Sequence, residues 1–69
     1  MQELFDEMIR HQQKKLLALA QEINSNVTEE DILQPFDYPE LESNPDFRYE
    51  EGMLHGIMSA RAAVLAGAV

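Results

Sequence analysis

Cysteine is absent from this chain of 69 residues, and so is tryptophan. Without thiols there is no disulfide framework and no thiolate metal site, two of the usual supports for so short a polypeptide. A reducing, cytoplasmic setting suits that composition. Glycine and proline number three each, so long stretches run free of helix breakers. Bases are few, five against thirteen acids, for a formal net charge of −8. The longest uncharged apolar stretch, Ala62 to Val69, falls far short of the roughly 20 residues that cross a bilayer. The opening residues, Met1 to Asp6, carry neither the basic region nor the apolar run of a signal peptide. The expectation is a soluble, cytoplasmic, single small domain over 1–69, with no membrane partner.

The charge is unevenly placed. Nine acids (Glu29, Glu30, Asp31, Asp37, Glu40, Glu42, Asp46, Glu50, Glu51) stand against Arg48 alone between Glu29 and Glu51. Outside that window Glu3, Asp6, Glu7 and Glu22 are balanced by Arg10, Lys14, Lys15 and Arg61. Two nearly neutral ends therefore flank an acidic middle. Such a middle repels polyanions, which argues against a nucleic-acid partner.

What is present is helical in pattern. From Gln2 to about Asn24 strong helix formers dominate, without glycine or proline. Phe5, Ile9, Leu16, Leu19 and Ile23, with Gln12 filling the gap, form one apolar stripe of heptad type. The predicted first helix runs over 2–24 and stops at Asn24-Ser25-Asn26, whose side chains compete for backbone hydrogen bonds. A short second helix is predicted over 29–34. Thr28 is its N-cap, Val27 and Ile32 are a hydrophobic staple, and Pro35 is its stop. The next stretch, 35–44, reads as an extended acidic strap, because each proline biases its predecessor away from helix. It carries Phe36, Tyr38 and Leu41, so it is read as an ordered strap that lays these side chains over the helices rather than a floppy acidic loop. Its acidic, aromatic surface would suit a basic, partly apolar partner protein.

Asn44-Pro45 starts the last helix, predicted over 45–66, and Gly67 lies where a C-cap glycine would. Its apolar stripe is about two seams wide: Met53, Ile57, Ala60 and Val64 beside Leu54, Met58, Arg61 and Leu65. Gly52, Gly56 and Ala60 recur every fourth residue. Each glycine costs the helix roughly 1 kcal/mol relative to alanine, so a close-packed neighbour is expected as compensation.

Two long amphipathic helices give an all-α, antiparallel hairpin. The expected core seam is Phe5, Ile9, Leu16, Leu19, Ile23, Leu54, Ile57, Met58 and Leu65. The register expected sets Phe5 against Leu65, Ile23 against Phe47, Leu16 against Leu54 and Gln12 against Met58. Arg61 then falls near Ile9 and reaches Glu7, while Lys15 approaches Glu51. A lone hairpin would leave half of each stripe in water. Two solutions are expected together: the strap and short helix cover part of the hairpin, and two chains join as a four-helix bundle. That homodimer closes through Gly52, Gly56, Ala60 and Val64 or through the charge-free tail after Arg61.

Chemistry is thinly represented. His11 follows Glu7, and His55 follows Glu51, by one helical turn. Such pairs can hold a metal or a small ligand in a bundle, but ordinary surface pairing accounts for the same spacing. No cysteine exists to act as a nucleophile, and no Ser or Thr sits at a sharp strand-to-helix turn. The glycines lie along a helix rather than in a phosphate-cradling loop. The reading that follows is a non-enzymatic protein–protein interaction module, a small adaptor or co-chaperone-like subunit with no cofactor, no metal and no catalytic residues. A bundle binding a metal or small ligand through His11, His55 and nearby carboxylates is the alternative.

Overall fold

The computed structural model describes residues 2–33 and 38–67. It is all-helical over those residues: α1 (Gln2–Ile23), α2 (Glu29–Leu33), α3 (Pro39–Glu42) and α4 (Pro45–Leu65). The two long helices pack antiparallel into a rod of 38 × 18 × 17 Å. The hairpin expected from the two stripes is therefore present.

Local chemistry sets the corners. Asn24 closes α1 by donating its backbone N–H to the Ala20 carbonyl at 2.8 Å. Its side-chain oxygen accepts from the Asn26 N–H at 3.0 Å, which turns the chain. The Gln21 amide then donates to the Val27 carbonyl at 3.0 Å. At the start of α2, the Asp31 carboxylate accepts both the Thr28 N–H at 2.9 Å and the Thr28 hydroxyl at 3.0 Å. Asp31 thus fills the place that glutamate holds in a capping box. Val27 and Ile32 are both buried, as a hydrophobic staple requires.

The strap differs from expectation. Residues 39–42 form a helical turn instead of extended chain. Proline blocks helix only where its missing N–H is needed, and at the first helical position it is not. Tyr38 keeps the extended backbone that Pro39 imposes on its predecessor (φ −127°, ψ 83°). The turn drives Leu41 into the core, where it is completely buried. Positions 34–37, including Phe36 and the predicted end of the second helix, lie outside the described residues.

α4 begins as its sequence requires, with Asn44 Oδ1 accepting the Phe47 N–H at 3.0 Å and Pro45 in the first turn. It ends on Gly67, which adopts φ +73° and donates its N–H to the Val64 carbonyl at 3.1 Å. That left-handed position is where glycine carries no Cβ penalty.

The core comprises Leu16, Ala20, Val27, Ile32, Leu41, Phe47 and Leu54. All of it lies at the end of the rod where α2 and α3 cover the hairpin. Burying side chains such as Leu16, Leu41 and Phe47 stabilises by roughly 1.5–3 kcal/mol each. At the opposite end Phe5, Ile9, Ile57 and Val64 are only half-buried. Met58 and Leu65, placed in the core seam by their spacing, are exposed.

The contacts between the long helices also differ from the expected register. Gln12 meets Glu50 rather than Met58, donating its side-chain N–H groups to the Glu50 carbonyl at 3.0 Å and to the Glu50 carboxylate at 2.7 Å. A buried amide needs a strong acceptor, and the methionine thioether is a weak one. Lys15 pairs with Glu50 at 3.4 Å rather than with Glu51, and Arg61 donates to Asp6 at 2.9 Å rather than to Glu7. Both ion pairs thus fall one residue from the expected partner, while Gln12 turns from Met58 to Glu50.

Candidate functional site

An apolar groove of about 600 Å³ lies between the two long helices. Phe5 and Met8 of α1 form one wall, and Tyr49, Met53 and Ile57 of α4 form the other. Gly52, Gly56 and Ala60 make a notch along its floor, and Arg48 stands at the rim. Among the described residues, none from α2 or α3 lines it. Over those same residues, α2 and α3 cover other parts of the hairpin and leave this one bare.

Its exposure is unusual for the residue types concerned. Tyr49 is 66% exposed, Met53 47% and Met8 42%. A side-chain Cβ added at Gly52 or Gly56 would meet nothing within 4 Å. The notch is thus open space, and α1 does not use it for close approach within the chain. Methionine suits a surface of this kind because its flexible, polarisable side chain adapts to varied partners. Tyrosine and methionine are also the types enriched where proteins meet.

The residues singled out from sequence fall into three groups. Gly52, Gly56 and Ala60 come together in the groove, while Val64 lies half-buried beyond its lining. In the seam, Leu16 and Leu54 are core, whereas Phe5, Ile9, Leu19, Ile23 and Ile57 are half-buried. The strap residues are not offered to a partner as a set. Leu41 is wholly buried, and Tyr38 is half-buried with its hydroxyl on the Asp31 carboxylate at 3.1 Å.

Tyr49 is the groove residue that stripe reading missed. Tyr49, Met53, Gly56 and Ala60 step by 4, 3 and 4 residues. That is a second helical face, distinct from the Phe47 and Leu54 face, and it was legible in the sequence.

The electrostatics are local and modest. Asp31 is held below the ordinary aspartate range, chiefly by the Thr28 backbone N–H, with desolvation opposing it and the hydroxyls of Thr28 and Tyr38 adding to it. Glu40 is likewise lowered, mainly by the Asn24 side-chain amide at 2.9 Å. Glu51 is 92% screened from solvent (8% exposed) and pairs with Arg48 at 3.3 Å, one turn earlier on the same helix.

His11 and His55 are both exposed. Among the described residues no group of three His, Asp or Glu side chains stands close enough to hold a metal ion. A smaller recess of about 330 Å³ lies between α1 and α2, where Arg10 and Lys14 face Glu29 above Leu17 and Ile32. Its mixed charge selects no obvious ligand. No helix among the described residues is long and apolar enough to cross a membrane.

Fold and groove together define a small all-helical hairpin with one covered end and one bare apolar flank. Compared with protein-family models, with curated proteins and with solved structures, the chain has no match.

Proposed function

We propose that this protein is a non-enzymatic interaction module of the cytoplasm, a small helical adaptor that works by docking another polypeptide, a second copy of itself included. The observation that carries the reading is the groove beneath Phe5, Met8, Tyr49 and Met53, whose glycine floor leaves room for a helix to lie close. Exposed apolar surface of this kind disfavours a chain in water unless a partner covers it. A helix laid in an apolar groove is a recurring way for proteins to recognise one another. Docking through the acidic strap has less support, since Leu41 is spent on the core.

The alternative, a metal or small ligand held through His11 and His55, draws no support from the geometry of the described carboxylates. The acidic middle then serves to keep the chain soluble and away from polyanions.

Site-specific photo-crosslinking in living cells tests the docking reading. A photoreactive residue at Met53 should give discrete polypeptide adducts, while one at Glu22, on an exposed part of α1, should not. Equal labelling from both positions, or none from Met53, would remove the groove as a docking face.

A further inference from the structure

We infer that the occupant of the groove is a second copy of this chain, packed about a two-fold axis so that the bare flanks cover each other. The inference rests on the docking reading above and names its partner.

Shape is the first argument. One flank carries both projections and a recess: Met8, Tyr49 and Met53 stand out, while Gly52 and Gly56 lie open beside them. A two-fold axis sets the same patch on itself, so a patch must contain its own complement. This one does, because a projecting side chain of one copy finds the glycine notch of the other.

Area is the second argument. A second hairpin laid along the full face of the rod, 38 × 18 Å, would cover on the order of 700 Å² per copy, close to the roughly 800 Å² per partner of a standard stable interface. A short peptide filling the recess alone would leave most of the flank in water. A second hairpin would cover it and complete four helices around a shared interior.

Charge is the third. Nine of the thirteen acids belong to residues 29–51, at the strap end and the start of α4. Residues 2–24 and 52–67 carry as many bases as acids. A two-fold axis across the rod sets the acidic end of one copy beside the neutral end of the other. The acids of α2 and α3 then lie at opposite ends of the pair, and Glu50 and Glu51, which border the groove, are already paired within the chain with Lys15 and Arg48. Like-charge repulsion across the contact is thereby reduced. Few strong ion pairs cross such a contact, so its affinity should depend little on salt.

Sedimentation equilibrium of the purified full-length chain, from low micromolar to millimolar, tests this. Wild type should reach twice the 7.9 kDa of one chain, with a dissociation constant changing less than threefold between 0.1 and 0.5 M NaCl. Gly56→Lys adds a charged stem to the notch where the single chain has open space. It should keep full helicity by circular dichroism and weaken association at least 100-fold. Met53→Ala, which only shortens a projection, should weaken it about tenfold. Lys14→Ala, away from the groove, should leave it unchanged.

A wild type that stays monomeric at millimolar concentration would overturn the inference, as would a dimer unmoved by both groove variants. If the chain is monomeric but the Met53 crosslinker still captures a different polypeptide in cells, the second copy falls and the docking face stands. If it is monomeric and the crosslinker captures nothing, both readings fall.

Discussion

Gln12 and Glu50 join the two long helices by a pair of hydrogen bonds, one to the Glu50 carbonyl at 3.0 Å and one to its carboxylate at 2.7 Å. Gln12 is only 6% exposed and is the sole residue of the α1 stripe that is not apolar. A greasy stripe can slide along another by a turn at modest cost. A buried amide cannot, because every other register leaves its donors unpaired. The pair therefore fixes how far α4 is offset along α1, much as a buried polar residue fixes register in coiled coils. Gln12→Ala should destabilise the fold by about 1–2 kcal/mol, read as a fall in the urea midpoint. Gln12→Leu should recover much of that loss while broadening the amide spectrum, as slipped registers become populated. A sharp spectrum with wild-type shifts in Gln12→Leu would show that packing alone sets the offset.

The strap is part of the fold. Leu41 has no exposed surface, and Asn24 reaches across to Glu40 at 2.9 Å. Leu41→Ala should therefore cost about 2–5 kcal/mol in chemical denaturation. By contrast Arg61→Ala, which removes a partly exposed ion pair with Asp6, should cost no more than about 1 kcal/mol. Similar small losses for both would mean that α3 is not seated on the hairpin.

Much of this architecture was legible in the sequence, for reasons that can be named. The helix limits follow from side chains that act on their own neighbourhood: Asn24 and Asn44 as caps, Thr28 and Asp31 at the start of α2, Gly67 at the end of α4. Such effects need no tertiary context. The offset between α1 and α4 did need it. Apolar spacing gives the face of a helix but not its position along a partner, and the best apolar overlap put Gln12 on Met58, where its donors would go unsatisfied. Pro39 was taken as a breaker because its identity is visible in the sequence while its place in a helix is not. The glycine repeat did point to a close-approach surface, yet not to the direction it faces. Open space at both glycines shows that nothing within the chain fills the notch.

Acid should loosen the corner between α1 and α2 before the rest. Asp31 is lowered below the ordinary aspartate value of 3.8, first by the Thr28 N–H and then by the Thr28 and Tyr38 hydroxyls. A carboxyl with a lowered folded value contributes stability that is complete above its unfolded value and is lost as pH falls through the folded one. Glu40, lowered through Asn24, acts in the same sense. Hydrogen exchange at Thr28 and Asp31 should therefore quicken as pH drops below about 4, after correction for the intrinsic rate. In Asp31→Asn this acid-dependent step should shrink, because the side chain that titrates is gone. An acid step of equal size in the variant would place its origin elsewhere.

The two helical glycines give the sharpest test, because folding and association should respond with opposite signs. In a single chain, Gly52→Ala and Gly56→Ala add methyl groups to open space. Alanine also removes backbone freedom from the unfolded state and raises helix propensity. Each change should therefore stabilise the isolated chain by about 0.5–1 kcal/mol, giving a higher thermal midpoint at concentrations where association is negligible. The same methyls would occupy the notch into which a partner's side chain or helix must come close. Association of the double variant should then weaken about tenfold even as its fold grows more stable. Packing faults inside the chain would lower both quantities, and glycines without a docking role would raise stability while leaving association untouched. Only a notch kept open for a neighbour predicts the divergence.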